Sequence, residues 1–326
     1  MKRILITGGA GYIGSHIVVE LLRAGYEVTI VDNFCTSKPS IIDNIKKITQ
    51  KNFDLIKGDV RDENLLHKVF AKHPYYAVVH LAGYKAVGES VSAPLNYYDN
   101  NLISTISLLK AMKHHNCKRL VFSSSATVYG EPAKLPLTEK SPLNPVNPYG
   151  RTKLMIEEML KDLYASDNEW NIASLRYFNP VASHESGLLE EDPLGIPNNL
   201  FPILLKVARG HMKELSIFGN DYPTPDGTAK RDYIHVVDLA KGHLAALEKI
   251  ENMGFAVFNL GTGVSFSVLE VVEEFEKALG RALPKRVVDR RAGDVVEYLA
   301  CVKKAKEELN FEAKRDLQDM CKNAVR

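Results

Sequence analysis

Tyr149 and Lys153 are four residues apart, and their side chains could together move a proton. Pro148 precedes them and is typical of the first position of a helix, so both side chains should lie on one helix face. A free tyrosine titrates at about pH 10 and is a poor base at neutral pH, but a neighbouring ammonium group stabilises the phenolate. The pair therefore predicts a tyrosine that accepts a proton from a hydroxyl group.

Tyrosine and lysine at this spacing are common on surface helices, so the pair alone is weak evidence. The run Ser123-Ser124-Ser125 strengthens it, because this run ends a predicted strand upstream of the helix. A doubly wound parallel sheet binds its ligands at the carboxyl ends of its strands. There Ser125 would pass a proton from a substrate hydroxyl to Tyr149, and we predict Ser125, Tyr149 and Lys153 as the catalytic set.

A glycine-rich segment, Gly8 to Gly14, joins the β-branched strand Ile4 to Thr7 to a stretch with helical periodicity, Ser15 to Arg23. The glycines fit G-x-G-x-x-G, which brings backbone N–H groups and the positive end of a helix to a pyrophosphate. Such a turn can be a plain connection, but Asp32 ends the next strand about 20 residues on, where a carboxylate binds the adenosine ribose and repels a 2′-phosphate. We therefore predict NAD rather than NADP, and a bound nicotinamide cation would also stabilise the phenolate.

Asp32 and Asp59 can each have a structural role instead of binding the cofactor. Asp32 is followed by Asn33 and by Thr36-Ser37, so it can instead cap a turn. Asp59 ends the predicted third strand, and for this residue capping and cofactor binding have equal support.

The elements that would position these residues alternate between short apolar strands and longer helical stretches. The strands are apolar on both faces, as in a covered parallel sheet: Ile4 to Thr7, Glu27 to Val31, Ala77 to His80 and Arg119 to Ser123. We predict an α/β fold with a doubly wound, Rossmann-type parallel sheet in residues 1–180. Proline and glycine then become frequent, and the strand-like 256–260 and helix-like 268–279 predict a smaller mixed α/β substrate-binding lobe in residues 181–326, interleaved with the first domain.

Composition and charge exclude several classes of partner. The chain of 326 residues has a formal net charge of +2 and 45% hydrophobic residues, which is typical of a globular protein, and we expect no nucleic-acid partner. No run reaches the roughly 18 consecutive apolar residues of a membrane span, so we expect no membrane partner. The four cysteines lie far apart without metal-ligand spacing, which predicts free thiols, no metal and a cytoplasmic location.

With these elements in this order, the chain resembles the extended short-chain dehydrogenase/reductase family from Ile4 to about Leu309, and within it the sugar-nucleotide 4-epimerases. The segments that carry the resemblance are TGGAGYIGSH (7–16), AGYKAVGESV (82–91), YYDNN (97–101), SSSATVYG (123–130), PYGRTK (148–153), LRYFNP (175–180), GIPNNL (195–200), RDYIHV (231–236) and RRAGD (290–294). The resemblance implies a tightly held NAD and a homodimer. Ala182 departs from it, because a glycine is usual after FNPV.

The resemblance also implies individual contacts. Cofactor contacts are expected from Gly8, Gly11, Tyr12, Ile13, Gly14, Asp32, Asn33, Thr36, Ser37, Asp59, Val60, Leu81, Ala82, Lys85, Asn100, Ser123, Tyr149, Lys153, Tyr177 and Phe178. Substrate contacts are expected from Lys85, Ser125, Tyr149, Asn179, Asn199, Leu200, Ser216, Phe218, Arg231, Tyr233, Arg291, Asp294 and Tyr298. The two arginines are suited to clamp a diphosphate, although such residues also form structural salt bridges.

The implied activity is inversion of C4 in a UDP-hexose, which interconverts UDP-glucose and UDP-galactose through a transient 4-keto sugar and NADH. Tyr149 would act as base, Lys153 would lower its pKa and Ser125 would relay the proton. Ala126 stands where dehydratases and decarboxylases of the family carry an acidic residue, which favours reversible hydride transfer without elimination. Bulky Tyr298 disfavours N-acetylated hexoses.

Other functions stay open at this point. One is a 4-epimerase for UDP-N-acetylhexosamine or UDP-uronate, and another is a sugar-nucleotide oxidoreductase with net redox change. A third is an NAD-sensing binding protein, against which the intact serine, tyrosine and lysine argue.

Overall fold

The computed structural model describes residues 2–193, 197, 199–291 and 294–326 and is built around a parallel sheet of seven strands. In chain order the strands are β1 (Arg3–Thr7), β2 (Glu27–Asp32), β3 (Asp54–Lys57), β4 (Ala77–His80), β5 (Arg119–Ser125), β6 (Asn171–Tyr177), β7 (Asn179–Val181), β8 (Leu215–Phe218), β9 (Lys230–His235), β10 (Phe255–Leu260), β11 (Ser265–Ser267), β12 (Lys285–Val288) and β13 (Glu297–Tyr298). The large sheet has the order β10-β6-β5-β4-β1-β2-β3, and every neighbouring pair in it is parallel. All its strands therefore end at one edge.

Helices cover both faces of this sheet. They are α1 (Tyr12–Arg23), α2 (Ser40–Thr49), α3 (Glu63–Lys72), α4 (Val87–Ser92), α5 (Pro94–Tyr98), α6 (Ser104–His114), α7 (Pro148–Ser166), α8 (Leu200–Ala208), α9 (Val236–Glu248), α10 (Val268–Leu279), α11 (Lys303–Leu309) and α12 (Leu317–Ala324), with a π-helical turn at Asp99–Ile103 and a 3-10 turn at Ala126–Tyr129. One apolar core joins α1, α2 and α9 to the sheet, and a second joins α3, α6 and α7. The predicted doubly wound α/β fold is confirmed.

None of the helices in the described part of the chain combines the length and the apolar character that crossing a membrane requires.

The apolar strands lie where the sequence predicts them, with small shifts at their ends. β4 and α10 have the predicted bounds, and β5 continues two residues further, to Ser125. Helix α1 begins at Tyr12 rather than at Ser15. The reason is local: Gly11 already has the extended backbone of an N-cap, so Gly14 falls inside the first helical turn.

Residues beyond 180 contribute to both parts of the molecule. A second sheet contains β7, β9, β11 and β13, and β8 pairs with β12. Helices α8, α10 and α12 pack with these strands in a separate apolar core. Strand β10 and helix α9, in contrast, complete the large sheet and one of its covering layers.

A buried ion pair connects helix α7 to the sheet. The Arg176 guanidinium in β6 donates two hydrogen bonds to the Glu157 carboxylate in α7, of which the Nε bond measures 3.0 Å, and Ser124 in β5 donates to the same carboxylate. Arg176 also donates to the Tyr129 hydroxyl at 3.0 Å, and Tyr129 donates to Asn259 in β10 at 2.6 Å. Both charged side chains are at most 5% exposed, so α7, which begins at the proposed catalytic tyrosine, is fixed to three strands.

We expect Glu157→Gln to lower the free energy of unfolding by about 3–5 kcal/mol, because it leaves the buried Arg176 charge without its counterion. Urea denaturation followed by circular dichroism measures this loss. Glu158→Gln, at an exposed position on the same helix, is the matched control and should change stability by less than about 0.5 kcal/mol. Equal unfolding midpoints for the two variants would contradict a structural role for the pair.

Candidate active site

The proton-transfer residues meet at the carboxyl edge of the large sheet. Ser125 is the last residue of β5, and the Thr127 N–H and hydroxyl donate to its Oγ at 3.2 and 2.9 Å. These two bonds occupy the oxygen as an acceptor and leave the serine proton free for a partner. Burial raises the pKa of Tyr149 above its ordinary value, and the nearby Ser125 side chain lowers it by less. The structure therefore brings the two side chains near each other, and proton transfer between them stays a prediction.

Local features at the start of α7 place Tyr149 beside this serine. The Asn147 side chain caps the helix by accepting the Gly150 N–H at 2.8 Å, and Pro148 occupies the first helical turn as predicted. A Cβ at Gly150 would lie 2.9 Å from the Thr127 carbonyl oxygen. The glycine thus allows the helix to approach the turn that carries Ser125 and Thr127.

Lys153 lies one turn further along α7 and points into the sheet. Its Nζ donates to the Ser123 carbonyl oxygen at 2.7 Å and lies 5.8 Å from the centre of the Tyr149 ring. Burial lowers the pKa of Lys153 to about 8, against a smaller opposite effect of Glu157. The lysine is close enough for its charge to act on the phenol, but the pKa of Tyr149 in the structure is raised, so its lowering by Lys153 stays a prediction.

The glycines between β1 and α1 fall into two groups by what surrounds them. Gly8 has a φ of +74°, and a Cβ there would lie 2.8 Å from the Ala82 nitrogen, while one at Gly14 would lie 2.2 Å from the Gly8 oxygen. These two positions are fixed by packing. A Cβ at Gly11 would come no nearer than 3.3 Å, also to the Gly8 oxygen, so its missing side chain serves instead to keep the N-terminus of α1 open, as a bound pyrophosphate requires.

Asp32, at the end of β2, does the work of a turn cap. One carboxylate oxygen accepts the Ala10 N–H at 2.9 Å, and the other accepts the Phe34 N–H at 2.8 Å and the Ser37 hydroxyl at 3.2 Å. Asp32 therefore caps the turn, as the structural alternative predicted. Its hydrogen bonds hold the glycine loop against the turn that follows β2. A carboxylate has about four lone-pair sites, so these three bonds still leave room for a ribose hydroxyl.

Asp59 is engaged in an ion pair. It accepts two side-chain hydrogen bonds from Arg61, at 3.0 and 2.8 Å, and one from Asn33 at 3.3 Å. Arg61 also pairs with Asp99. Hydrogen bonding by Arg61 lowers the pKa of Asp59 to about 2. A contact from Asp59 to a cofactor would have to coexist with this pair.

The other predicted cofactor residues border the same edge. The Tyr177 hydroxyl is hydrogen-bonded to the buried His243, so its ring rather than its hydroxyl is available to a ligand. Buried positions are Val60, Asn100 and Phe178, partly buried ones are Tyr12, Ile13, Asn33, Leu81 and Ala82, and Thr36 and Lys85 are exposed.

Two arginines and one carboxylate form the centre of the predicted substrate site. Arg291 donates to Asp294 through Nε at 3.0 Å and through a terminal nitrogen at 3.3 Å, and Arg231 lies 3.5 Å from the same carboxylate. The Arg291 guanidinium stacks 4.7 Å from the centre of the Phe218 ring. The salt bridge that was the structural alternative is present, and because two cations share one anion, the group keeps a net positive charge for an anionic ligand.

The smaller sheet gathers further substrate candidates. Asn179 in β7 is paired with Tyr233 in β9, and Tyr298 in β13 is paired with Arg231. Tyr298 donates its hydroxyl proton to the Gly130 carbonyl. Ser216 lies in β8 and Leu200 begins α8. Residues 195, 196 and 198 of GIPNNL and 292–293 of RRAGD lie outside the described residues.

Glu191 joins a predicted cofactor residue to a predicted substrate residue and was missed by the sequence analysis. One of its carboxylate oxygens accepts hydrogen bonds from the Lys85 ammonium at 2.6 Å and from the Asn199 amide at 2.7 Å. Among the described residues its other oxygen is buried without a partner. Nothing in the local sequence indicates this role, because Glu191 follows another glutamate in a loop.

Asn101 is a second missed residue, and it holds the site together from within. Its amide oxygen accepts the Tyr84 N–H at 2.7 Å, and its amide nitrogen donates to the Tyr84 carbonyl at 3.1 Å and to the Thr152 hydroxyl at 3.0 Å. Thr152 in turn donates to the Tyr149 carbonyl at 2.7 Å. The buried asparagine thus ties the loop after β4 to the helix of the catalytic tyrosine.

The departure at Ala182 coincides with strained backbone. Ala182 has a φ of +74°, a region that costs an L-residue roughly 1–2 kcal/mol and that glycine occupies freely. Its carbonyl oxygen accepts the Tyr12 hydroxyl at 2.7 Å. The position that the glycine-containing relatives fill without strain is therefore held here by the surrounding contacts.

Known proteins resemble this chain in sequence and in structure. The NAD dependent epimerase/dehydratase family model matches residues 4–261. A UDP-glucose 4-epimerase of Bacillus subtilis (strain 168) is 54% identical over 324 residues, covering 99% of this chain and 96% of the relative. A bifunctional UDP-glucose 4-epimerase and UDP-xylose 4-epimerase of Pisum sativum is 50% identical over 329 residues, with 99% and 94% covered. A crystal structure of UDP-glucose 4-epimerase from Bifidobacterium longum in complex with NAD+ and UDP has a TM-score of 0.96 at 51% identity, covering 99% of this chain and 97% of that one.

We expect Lys153→Met to stabilise the chain freed of nucleotide by roughly 1–3 kcal/mol at pH 7, since the folded state buries an ammonium group there. The folded pKa of about 8 is below the ordinary value of 10.5. Between these values the unfolded chain binds more protons than the folded chain, so the stability of the parent rises with pH and the difference between parent and variant shrinks.

Urea denaturation at several pH values measures this difference. Lys161→Met, at an exposed position on the same helix, is the control for the loss of one surface charge. If the curves of free energy against pH for parent and Lys153→Met run parallel from pH 7 to 10, the lysine is not buried as a charge.

Proposed function

Because the chain belongs to the NAD dependent epimerase/dehydratase family, we propose that it inverts C4 of a UDP-hexose and so interconverts UDP-glucose and UDP-galactose. The observation that carries this function is the placement of Tyr149 near Ser125, with Lys153 beside it, at the carboxyl edge of the large sheet. Relatives that are at least 50% identical over 99% of the chain are named for this activity.

NAD is the cofactor, and the residues present fit it. The open N-terminus of α1 at Gly11 suits the pyrophosphate, and Asp32 has acceptor capacity for the adenosine ribose. Of the three N–H donors of the Lys153 ammonium, the Ser123 carbonyl accepts one, which leaves others for a ribose hydroxyl. When bound, NAD supplies a reversible acceptor of hydride from C4.

Tyr149 acts as the base for the C4 hydroxyl. Ser125 lies near the phenol, and its hydroxyl can give a proton to a phenolate while it takes one from the sugar. Since burial raises the pKa of Tyr149, the phenolate needs positive charge nearby, and Lys153 supplies it from within the same helix turn. Reversal of these transfers on the other face of the 4-keto sugar completes the inversion.

The smaller lobe anchors the nucleotide. Arg231 and Arg291 are suited to the diphosphate and Asp294 to uridine hydroxyls, with the Phe218 ring alongside. Their position on β8, β9 and the segment after β12 supports the proposal that residues 181–326 bind the substrate. An anchored nucleotide keeps the intermediate at the site while the sugar turns.

Tyr298 is the residue that favours an unsubstituted hexose. Its hydroxyl is hydrogen-bonded to the Gly130 carbonyl, which holds its bulky ring beside the turn that follows β5. The alternatives, UDP-N-acetylhexosamine and UDP-uronate, require space for an added group at the sugar. Parallel assays with UDP-galactose, UDP-N-acetylgalactosamine and UDP-galacturonate distinguish them, and turnover of either larger substrate at the rate of UDP-galactose would remove Tyr298 from this role.

The decisive experiment compares Tyr149→Phe with the parent. Loss of the proton acceptor should lower turnover of UDP-galactose by about 10²–10⁴-fold, measured by chromatography of the UDP-sugars, while NAD stays bound. Tyr164→Phe, at a partly buried position 15 residues further along α7, is the matched control and should leave turnover unchanged. Undiminished activity of Tyr149→Phe would refute the mechanism, and stoichiometric release of NADH by the parent would indicate the net-redox alternative instead.

A homodimer is the second part of the proposal. Apolar side chains stand exposed on the neighbouring helices α4, α5 and α7, on the π-helical turn before α6 and on the first turn of α6. Among them are Leu95 with 80% and Val91 with 64% of their surface accessible, and Ile103, Ile106 and Met155. An exposed apolar patch of this kind is typical of a protein interface. The same patch on two copies can pack isologously.

Leu95→Glu combined with Ile106→Glu should convert the dimer into a monomer, because charges are costly at the centre of an apolar interface. Sedimentation velocity measures the mass of both species. Val287→Glu, which adds a charge at a half-exposed apolar position on β12, is the control and should remain dimeric. A monomeric parent, or a double variant that still dimerises, would show that the patch has another role.

We also propose a cytoplasmic location, for which the four free cysteines, suited to a reducing compartment, are the support. Activity recovered only from a membrane or exported fraction of the source cells would argue against it.

A further inference from the structure

Three histidines form a cluster on the side of the large sheet that α3 and α6 cover. His67 lies in the middle of α3, His114 ends α6, and His115 follows it. Each offers a ring nitrogen, and the three nitrogens lie within 4.8 Å of one another. The ring centres of His114 are 4.9 Å from those of both His67 and His115. Three imidazoles from two helices thus converge on one point.

The closest pair already has the separation of two ligands on one metal ion. His67 Nδ1 and His115 Nε2 are 3.2 Å apart. With zinc–nitrogen bonds of about 2.0–2.1 Å, this separation corresponds to an angle at the metal of roughly 100°, close to tetrahedral. Two ring nitrogens at hydrogen-bond distance cannot both carry a proton, so at least one presents a free lone pair.

The packing around the cluster holds the His115 ring in place. This ring stacks on buried Phe70, with ring centres 5.6 Å apart and an angle of 14° between the planes. His67 is partly buried and His114 is exposed, so His114 can complete the site with a small rotation.

We propose that His67, His114 and His115 bind one late first-row divalent cation, such as Zn²⁺ or Ni²⁺, with water as the remaining ligand. Neutral imidazole is a preferred ligand of these ions. The site lies at the end of α6 that precedes β5, and therefore at the edge of the sheet opposite Ser125 and Tyr149. A metal there links α3 to α6 and acts on stability, not on the chemistry.

Calorimetric titration of zinc chloride into tag-free, chelator-treated protein tests this. The parent should bind one ion per chain, and zinc at about a hundredfold excess over its dissociation constant should raise the melting temperature by several degrees. His67→Gln and His115→Gln should each weaken binding by more than about tenfold, since loss of a direct ligand costs at least as much as loss of a supporting residue. His211→Gln, at an exposed histidine after α8, is the matched control and should bind as the parent does.

Retained epimerase activity shows that the variants are folded, so that lost binding is due to the lost ligand. The proposal is overturned if the parent shows no zinc-dependent heat or thermal shift, or if zinc binds His67→Gln and His115→Gln as tightly as the parent. One ion per two chains would also overturn it, because the three ligands would then not come from one chain.

Discussion

The hydrogen bond from the Lys153 ammonium to the Ser123 carbonyl fixes the distance between the helix that carries the base and the strand that carries its proton partner. A shift of α7 along β5 would break this bond and separate Tyr149 from Ser125. The rest of the structure opposes such a shift: Glu157, one turn beyond the lysine, is held by Arg176, and Asn147 caps the start of the same helix. The helix is therefore anchored by a cap, a lysine and an ion pair on three successive turns.

This arrangement stores unfavourable electrostatics at the site. Burial raises the pKa of Tyr149 and lowers that of Lys153 to about 8, so both groups are held closer to neutrality than in water. The two shifts move the proton affinities of the phenol and the ammonium apart, because their ordinary pKa values of 10.0 and 10.5 are nearly equal and burial raises the first and lowers the second. The apolar surroundings that destabilise the charges belong to the core that packs α7 on the sheet. The free energy gained by that packing therefore offsets the free energy lost by burying the charged groups.

The fold, and the meeting of the proposed catalytic residues at one edge of the sheet, could be predicted because their signals are local. Strands apolar on both faces, a glycine turn before a helix and a Tyr-Lys pair at helical spacing each occupy a few adjacent residues, and the rule that parallel strands end at one edge brings Ser125 and Tyr149 together. Glu191 could not be predicted, because it meets Lys85 across 106 positions of the chain. The same holds for His67 and His115, whose 48-residue separation matches no metal motif. For Asp32 and Asp294 the sequence allowed either a structural or a ligand-binding role. The contacts of these residues in the structure leave room for both roles.

In the proposed mechanism, the residues that anchor the nucleotide are separate from those that transfer protons, which explains how one site can act on both faces of a sugar. The cationic group around Arg231 and Arg291 belongs to the smaller lobe, whereas the proton-transfer residues belong to the large sheet. Binding energy drawn from the diphosphate and uridine does not depend on which face of the hexose meets Tyr149, so it holds both epimers equally. If the tight contacts instead surrounded the hexose, they would favour one configuration at C4 and slow the turn that inversion needs. Ala126 is small and lies beside Ser125, at a position where a carboxylate could drive elimination. Without that carboxylate, the bound 4-keto sugar is converted to product by the return of the hydride.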